Sequence, residues 1–135
     1  MKMGQKRTEL RKAMKKRVPK NYYLDNLYNK IVKYLANYTC ELCGIVPTNP
    51  KKYHTHHFIT RSVIRLRWVF ENTICVCAGC HDDLEKDPKF NTEVFTKRLG
   101  TDRLDELRRQ RHTLPKVDRI QLEQELQEKL KMLEI

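Results

Sequence analysis

Long apolar segments are absent from this sequence: 39% of its 135 residues are hydrophobic and 33% are charged. No stretch has the length and apolarity of a membrane-spanning helix, and the basic amino terminus lacks the apolar segment of a secretory signal. We therefore expect a cytoplasmic protein without a membrane partner, in a compartment that keeps thiols reduced. In such a compartment, five cysteines favour metal binding over a disulfide framework.

Acidic residues are scarce relative to basic ones. The chain has 28 Lys and Arg against 17 Asp and Glu, a net charge of +11. This excess indicates a polyanionic partner, for which nucleic acid is the leading candidate; a protein that is merely cationic and soluble is the alternative. Residues 1–20 are predicted to form a basic flexible arm. Its predicted phosphate contacts are Lys12, Lys15, Lys16 and Arg17.

The pattern of apolar residues predicts an α+β fold. An amphipathic helix is predicted at 22–38, where apolar residues recur at spacings of three and four. Two short strands are predicted at 53–59 and about 73–77, where β-branched and aromatic residues are frequent. These elements define a central domain at residues 21–90, which is followed by a helical extension at 91–135.

Several further helices are expected after the second strand. One begins around Gly79 to His81, and another spans Thr92 to Leu99 and ends at Gly100, a residue suited to a helix C-terminus. Pro115 is expected to open the last helix. That helix carries a leucine stripe suited to packing on the domain or on a second copy, so the protein is expected to be a monomer or a homodimer through its C-terminal helices.

Four of the cysteines form two Cys-x-x-Cys pairs: Cys40 with Cys43, and Cys77 with Cys80. Each pair can place two thiolates on one ion, and two pairs complete a tetrahedral zinc site. Such a site has no open position for water, so we expect this zinc to be structural. Cys75 is expected to be a buried or half-buried residue and not a ligand.

Four of the five histidines lie inside or directly beside the span bracketed by these cysteines: His54, His56, His57 and His81. With zinc fixing their relative positions, they are interpreted as a site. Adjacent residues on a regular strand face opposite sides, so His56 and His57 cannot both point inward from an ideal strand. His54 shares the face of His56 and is the alternative to it as a ligand.

The order of these residues resembles that of the HNH endonucleases, which have the small ββα-metal (His-Me finger) fold. The family pattern is a His-His or Asp-His pair, then an Asn, then a Cys-x-x-Cys-His sequence that opens a helix. Here it reads His56-His57, then Asn72, then Cys77-Ala78-Gly79-Cys80-His81, within roughly residues 40–86. The segment 95–100 also resembles phage recombination nucleases of the NinG type, which implies a phage or bacterial intracellular origin.

The resemblance implies a role for each matching position. His57 would be the general base that activates water, and His56 and His81 would bind one catalytic divalent ion. Asn72 would hold the loop and orient the base imidazole. Histidine ligands suit Mn²⁺, Ni²⁺, Co²⁺ or Zn²⁺, while Mg²⁺ prefers oxygen, so the identity of the ion stays open. Cys80 and His81 lie about 100° apart on a helix, so one can face the zinc and the other the second ion.

Arginines in the loop between the strands complete the expected site. Arg61, Arg65 and Arg67 are predicted to contact phosphates, with a solvated loop as an equal alternative for the last two. The function expected is that of a metal-dependent DNA endonuclease, which hydrolyses phosphodiester bonds by a single-metal mechanism with a histidine base. The main alternative is a non-catalytic, zinc-stabilised module that binds nucleic acid. An interaction protein built on the C-terminal leucines is the third interpretation.

Overall fold

The structure, a computed structural model, describes residues 18–113 and 116–135 and is mixed α+β. The predicted arm lies outside these residues except for its last three, and Lys12, Lys15, Lys16 and Arg17 are therefore not placed. In chain order the elements are α1 (Asn21–Leu35), a 3₁₀ turn (Pro50–Lys52), β1 (Tyr53–His57), α2 (Ile64–Arg67), a second 3₁₀ turn (Phe70–Asn72), β2 (Thr73–Cys77), α3 (Ala78–Lys86), α4 (Pro88–Leu99), α5 (Thr101–Gln110) and α6 (Arg119–Leu133). Among the described helices, none combines the length and apolarity that crossing a bilayer requires.

The chain divides into two compact units. One comprises residues 29–117 and contains the sheet, α2 to α5 and all five cysteines. The other combines the described residues up to Tyr28 with residues 118–135. Within this second unit Leu24, Leu126 and Leu130 are buried.

The two strands pair in antiparallel fashion, with His54 opposite Val76, His56 opposite Ile74 and His57 opposite Thr73. The predicted first strand extended to residue 59, but β1 ends at His57 because the chain then turns into the loop that leads to α2. The positions in β2 from Thr73 to Val76 are all buried, so this strand is covered on both faces. It can therefore carry an uninterrupted run of apolar and small residues instead of an alternating pattern.

Local chemistry sets where the helices begin and end. The first helix stops at Leu35, three residues before the predicted end, because Asn37 and Tyr38 adopt positive φ angles of 55° and 52°. The fourth begins at Pro88, earlier than the predicted Thr92, because the Asp87 carboxylate accepts hydrogen bonds from the amides of residues 89 and 90.

Two other helix starts also differ from expectation. The third helix begins at Ala78, one residue before the predicted range, because the Cys77 side chain caps it by accepting from the Cys80 amide. The last helix begins at Arg119 with Asp118 as its cap, so Pro115, which lies outside the described residues, does not open it.

The core of the larger unit lies between the sheet and helices α3, α4 and α5. Phe95 of α4 is fully buried and packs near the rings of Phe58 and His56. Truncating a buried phenylalanine typically costs about 3–5 kcal/mol, so this residue is a principal source of packing energy. The buried members of the cluster are Cys40, Ile59, Leu66, Ile74, Val76, Leu84, Phe95, Leu104 and Leu107.

Two candidate metal centres

The two Cys-x-x-Cys pairs meet although 33 residues separate them. The sulfur atoms of Cys40, Cys43, Cys77 and Cys80 all lie within 4.8 Å of one another. Cys43 Sγ and Cys77 Sγ, one from each pair, are 3.8 Å apart. Four sulfur donors at this separation can hold a metal ion such as zinc.

Electrostatics within the cysteine cluster favour a bound cation. Burial raises the pKa of the Cys80 thiol, and hydrogen bonds with the neighbouring cysteine thiols raise it further. Burial also opposes ionisation of Cys40, but backbone hydrogen bonds outweigh it and lower the pKa of that thiol to about 7. Four thiolates so close together repel one another, so their joint ionisation requires a positive charge between them.

Glu41 fixes the first cysteine pair to the second strand. The Glu41 amide donates to the Cys75 carbonyl at 2.9 Å, and the Cys75 amide donates to Glu41 Oε2 at 2.7 Å. The other carboxylate oxygen accepts from Arg98 of α4 at 3.0 Å. Cys75 itself is fully buried and lies outside the four-cysteine group, and burial is the largest cause that raises its thiol pKa to about 11.

A second cluster consists of His56, His81 and Glu85. One ligand atom from each lies within 4.8 Å of the other two. Glu85 Oε1 is 3.5 Å from His56 Nδ1 and 3.3 Å from His81 Nε2. Glu85 was not predicted, although His81 and Glu85 are four residues apart on α3 and therefore share one face of that helix.

The environment of His56 determines which of its ring nitrogens carries a lone pair. His56 is 2% exposed, and its Nε2 lies 2.8 Å from the side-chain oxygen of Asn91 on α4. An amide oxygen only accepts, so Nε2 carries the proton and Nδ1 of the neutral ring holds the lone pair. That buried Nδ1 has no hydrogen-bond partner among the described residues and lies toward the Glu85 carboxylate.

His54 and His81 lie side by side at the edge of this cluster. Their rings are stacked, with centroids 4.8 Å apart and planes at 4°. Burial is the largest cause that lowers the pKa of each, and the neighbouring imidazoles (His81 for His54, and His56 for His81) lower it further. Both rings are thus favoured in the neutral form, the form that binds metals. Of the two alternatives for the second ligand, it is His56 that joins the three-residue group.

His57 lies on the opposite face of β1 from His56 and contacts the loop instead. Its Nε2 is 2.8 Å from the backbone carbonyl oxygen of Arg67. A carbonyl only accepts, so Nε2 is the protonated nitrogen and Nδ1 is the basic one in the neutral ring. This arrangement is suited to a group that takes a proton from water.

Asn72 is fully buried and holds the loop that supports His57. Its Nδ2 donates to the carbonyls of Ile59 and Leu66, at 3.0 and 2.9 Å, and its Oδ1 accepts from the Ile59 amide at 2.8 Å. The Leu66 carbonyl precedes by one residue the Arg67 carbonyl that contacts His57. Asn72 therefore fixes the segment that positions the imidazole, through backbone groups.

The three loop arginines have different surroundings. Arg61 is exposed, whereas Arg65 and Arg67 are half-buried. Arg67 donates to the Arg61 carbonyl at 3.3 Å, and its guanidinium lies 5.6 Å from the centre of the Trp68 ring. Arg61 is thus the loop arginine most accessible to a ligand.

Comparisons of the chain with protein-family models, with curated proteins and with solved structures found no match.

Proposed function

We propose that this protein is a metal-dependent DNA endonuclease of the HNH type with a ββα-metal core. The observation that carries the proposal is the group of His56, His81 and Glu85. His57 directly follows His56 at the end of β1, where the strand passes into the loop that Asn72 holds. The chain order of β1, β2 and α3 supports it, because His56 and His57 end β1, Asn72 directly precedes β2, and Cys80 and His81 lie in the first turn of α3.

The residues of the second cluster fit a divalent ion. The buried His56 Nδ1 has a lone pair and no partner among the described residues, and a carboxylate oxygen lies 3.5 Å from it. Two electron-rich atoms face each other there, and a cation between them would satisfy both. Two imidazoles and one carboxylate form a mixed donor set, which suits Mn²⁺, Ni²⁺, Co²⁺ or Zn²⁺. When bound, such an ion stabilises the negative charge that develops on a phosphodiester during hydrolysis.

The protein's own groups would supply the remaining chemistry. His57 Nδ1 takes the proton of the attacking water while the Arg67 carbonyl holds the ring. Asn91 fixes the orientation of His56 through its other ring nitrogen, an arrangement that recurs around histidine ligands. The net charge of +11 and the accessible Arg61 would hold the DNA by its phosphates.

Plasmid nicking tests this proposal. Purified, zinc-loaded protein should convert supercoiled plasmid to the open circle when Mn²⁺ or Mg²⁺ is added. His57→Ala should reduce the rate roughly 10²- to 10⁴-fold, the range expected for loss of a general base. Its melting temperature and zinc content should be almost unchanged, because the ring lies outside the cysteine cluster.

Thr55→Ala provides a matched control, since Thr55 lies two residues earlier on the same face of β1 and outside both clusters. That variant should nick at close to the wild-type rate. If the zinc-loaded wild type binds DNA but cleaves it with no divalent ion, the enzyme proposal fails. The protein would then be a zinc-stabilised module that only binds nucleic acid.

A further inference from the structure

A cavity of about 460 Å³ lies between the end of β1 and the end of α5. It is lined by Phe58, Ile59, Thr60, Arg108, Arg111 and His112. None of these lining residues is acidic, and two are arginines. The volume falls in the usual range for small-ligand sites, roughly 300–1,000 Å³, so it can accommodate one nucleotide unit.

The two arginines that line the cavity differ in their contacts. The Arg108 guanidinium is about half exposed, lies 5.4 Å from the centre of the Phe58 ring and donates to Asp105 at 3.2 Å, and these two contacts orient it. Arg111 is exposed and forms no ion pair with any residue in the described ranges. Two guanidinium groups that line one cavity, one of them without an ion pair in the described ranges, form a site that favours an anion with several oxygen acceptors.

The cavity lies beside the proposed catalytic centre, because its lining begins one residue after His57. Phe58 directly follows His57, and its ring lies 5.1 Å from that of Phe95, which in turn lies 6.1 Å from the ring of His56. Phe58 and Ile59 give the cavity an apolar wall, which is suited to the sugar of a nucleotide. A DNA strand with one phosphate at His57 can therefore place its neighbouring phosphate in this cavity.

We infer that this cavity is a subsite for the nucleotide next to the cleaved bond, with its backbone phosphate bound by Arg108 and Arg111. The inference rests on the proposed function, and it assigns DNA contacts to a region outside the arginine loop and the basic arm. It also gives the strand a direction across the protein, from the His57 side of β1 toward the carboxyl end of α5.

Binding measured as a function of salt tests the subsite apart from catalysis. Every variant is made in the His57→Ala background, and a fluorescein-labelled 20-base-pair duplex is titrated by anisotropy at several salt concentrations. Arg111→Gln should weaken binding and reduce the slope of log K against log salt by about 0.9, the value for one lost phosphate contact on duplex DNA. Arg108→Lys keeps the charge but loses the planar guanidinium, so it should weaken binding while leaving the slope near that of the parent.

Arg109→Gln is the matched control. Arg109 lies in the last turn of α5, two residues before Arg111, and carries the same charge, but it does not line the cavity and pairs with Glu106 at 2.7 Å. Equal effects of Arg109→Gln and Arg111→Gln on affinity and slope would overturn the inference. Competition by inorganic phosphate as effective as that by a short oligonucleotide would also overturn it, because the cavity would then be a site for free phosphate.

The outcomes for the subsite and for the proposed function are distinguishable. An effect of Arg111→Gln together with a wild-type protein that never cleaves would leave a DNA-phosphate site at the cavity, but would remove the nuclease and the relation of that site to a cleaved bond. Cleavage by the wild type with no difference between Arg111→Gln and Arg109→Gln would leave the nuclease and remove the subsite.

Discussion

The four-cysteine cluster and the His56–His81–Glu85 cluster differ in how many donors each supplies. Four sulfur atoms can fill a tetrahedral coordination shell, which leaves no position for another ligand. Two imidazoles and one carboxylate leave positions open for water and a phosphate oxygen. Exposure does not separate the two clusters, because each combines a buried residue, Cys40 or His56, with an exposed one, Cys43 or Glu85.

One short segment contributes residues to both clusters. Cys77 caps α3, Cys80 belongs to the cysteine cluster, and His81 belongs to the other one. Because adjacent helical residues point about 100° apart, Cys80 and His81 of α3 can face different clusters. We therefore expect substitutions in the four-cysteine cluster to unfold the protein. Substitutions in the His56–His81–Glu85 cluster should lower only the rate of the proposed DNA hydrolysis.

Cys43→Ser should give the largest effect, because it removes one of the four sulfur ligands. In small zinc domains the bound ion contributes on the order of 10 kcal/mol to folding, so the variant should lose its zinc and fail to fold. Zinc content by mass spectrometry and thermal melting by circular dichroism measure both. Cys75→Ala changes a buried cysteine outside the cluster and should keep one zinc per chain. A folded, zinc-free Cys43→Ser protein would show that the fold does not depend on the four-cysteine cluster.

Glu85→Gln should affect the reaction and not the fold. Losing one of three ligands should lower the nicking rate on the order of 10²-fold at fixed Mn²⁺, since the bound ion contributes several kcal/mol to the transition state. Zinc content and melting temperature should stay near those of the wild type. Asp82→Asn, which alters an exposed carboxylate on the same helix, is the control. Equal losses in the two variants would show that Glu85 has no special role.

Asn91→Ala should have a smaller effect on the same cluster. Removing the acceptor for His56 Nε2 frees the ring to rotate, and such losses around a metal ligand usually cost roughly 10- to 100-fold in affinity. The Mn²⁺ concentration at half-maximal nicking should rise by that factor, while the maximal rate changes less. Asn91→Asp retains an oxygen acceptor and should stay close to the wild type. A normal Mn²⁺ requirement in Asn91→Ala would contradict the assigned tautomer.

The ion pair between Glu71 and Arg103, which lies outside both clusters, shows how much an ordinary surface contact contributes to stability. Hydrogen bonding to Arg103 lowers the pKa of Glu71, so the carboxylate is ionised at neutral pH and its stabilising effect is present above about pH 4.5. Both side chains are about two-fifths exposed, so Glu71→Gln should cost only about 0.5–1 kcal/mol in urea unfolding at pH 7. The cost should shrink in 1 M salt, because exposed charges are screened. If Glu71→Gln lost as much unfolding free energy as Cys43→Ser, the cysteine cluster would stabilise the fold no more than an exposed ion pair does.

Short-range spacing explains the parts of the site that the sequence could predict. The two cysteine pairs were predicted to converge, and the structure brings all four sulfurs together. The α+β class also agrees with the pattern of apolar residues. The strands near 53 and 73 were recognisable because β-branched and aromatic residues concentrate there.

Contacts that depend on packing between distant elements were not predictable. Asn91 reaches His56 only because Asp87 ends α3 and starts α4, which turns the chain back across the cluster. Arg108 and Arg111 face Phe58 for a similar reason, through the placement of α5. Glu85 is a different case, because its spacing of four residues from His81 on a predicted helix is enough to place both side chains on one face.

The hydrogen bonds of Asn72 determine which part of the loop after β1 can vary in sequence. One buried side chain binds the backbone at Ile59 and at Leu66, so both ends of the intervening segment are held independently of its sequence. Residues 60–62, which include Arg61, are exposed within that closed segment. Substitutions there can alter the charge and shape presented to a ligand while the sheet and α3 keep their geometry. The segment is therefore where the surface of this protein can change at the least cost to its fold.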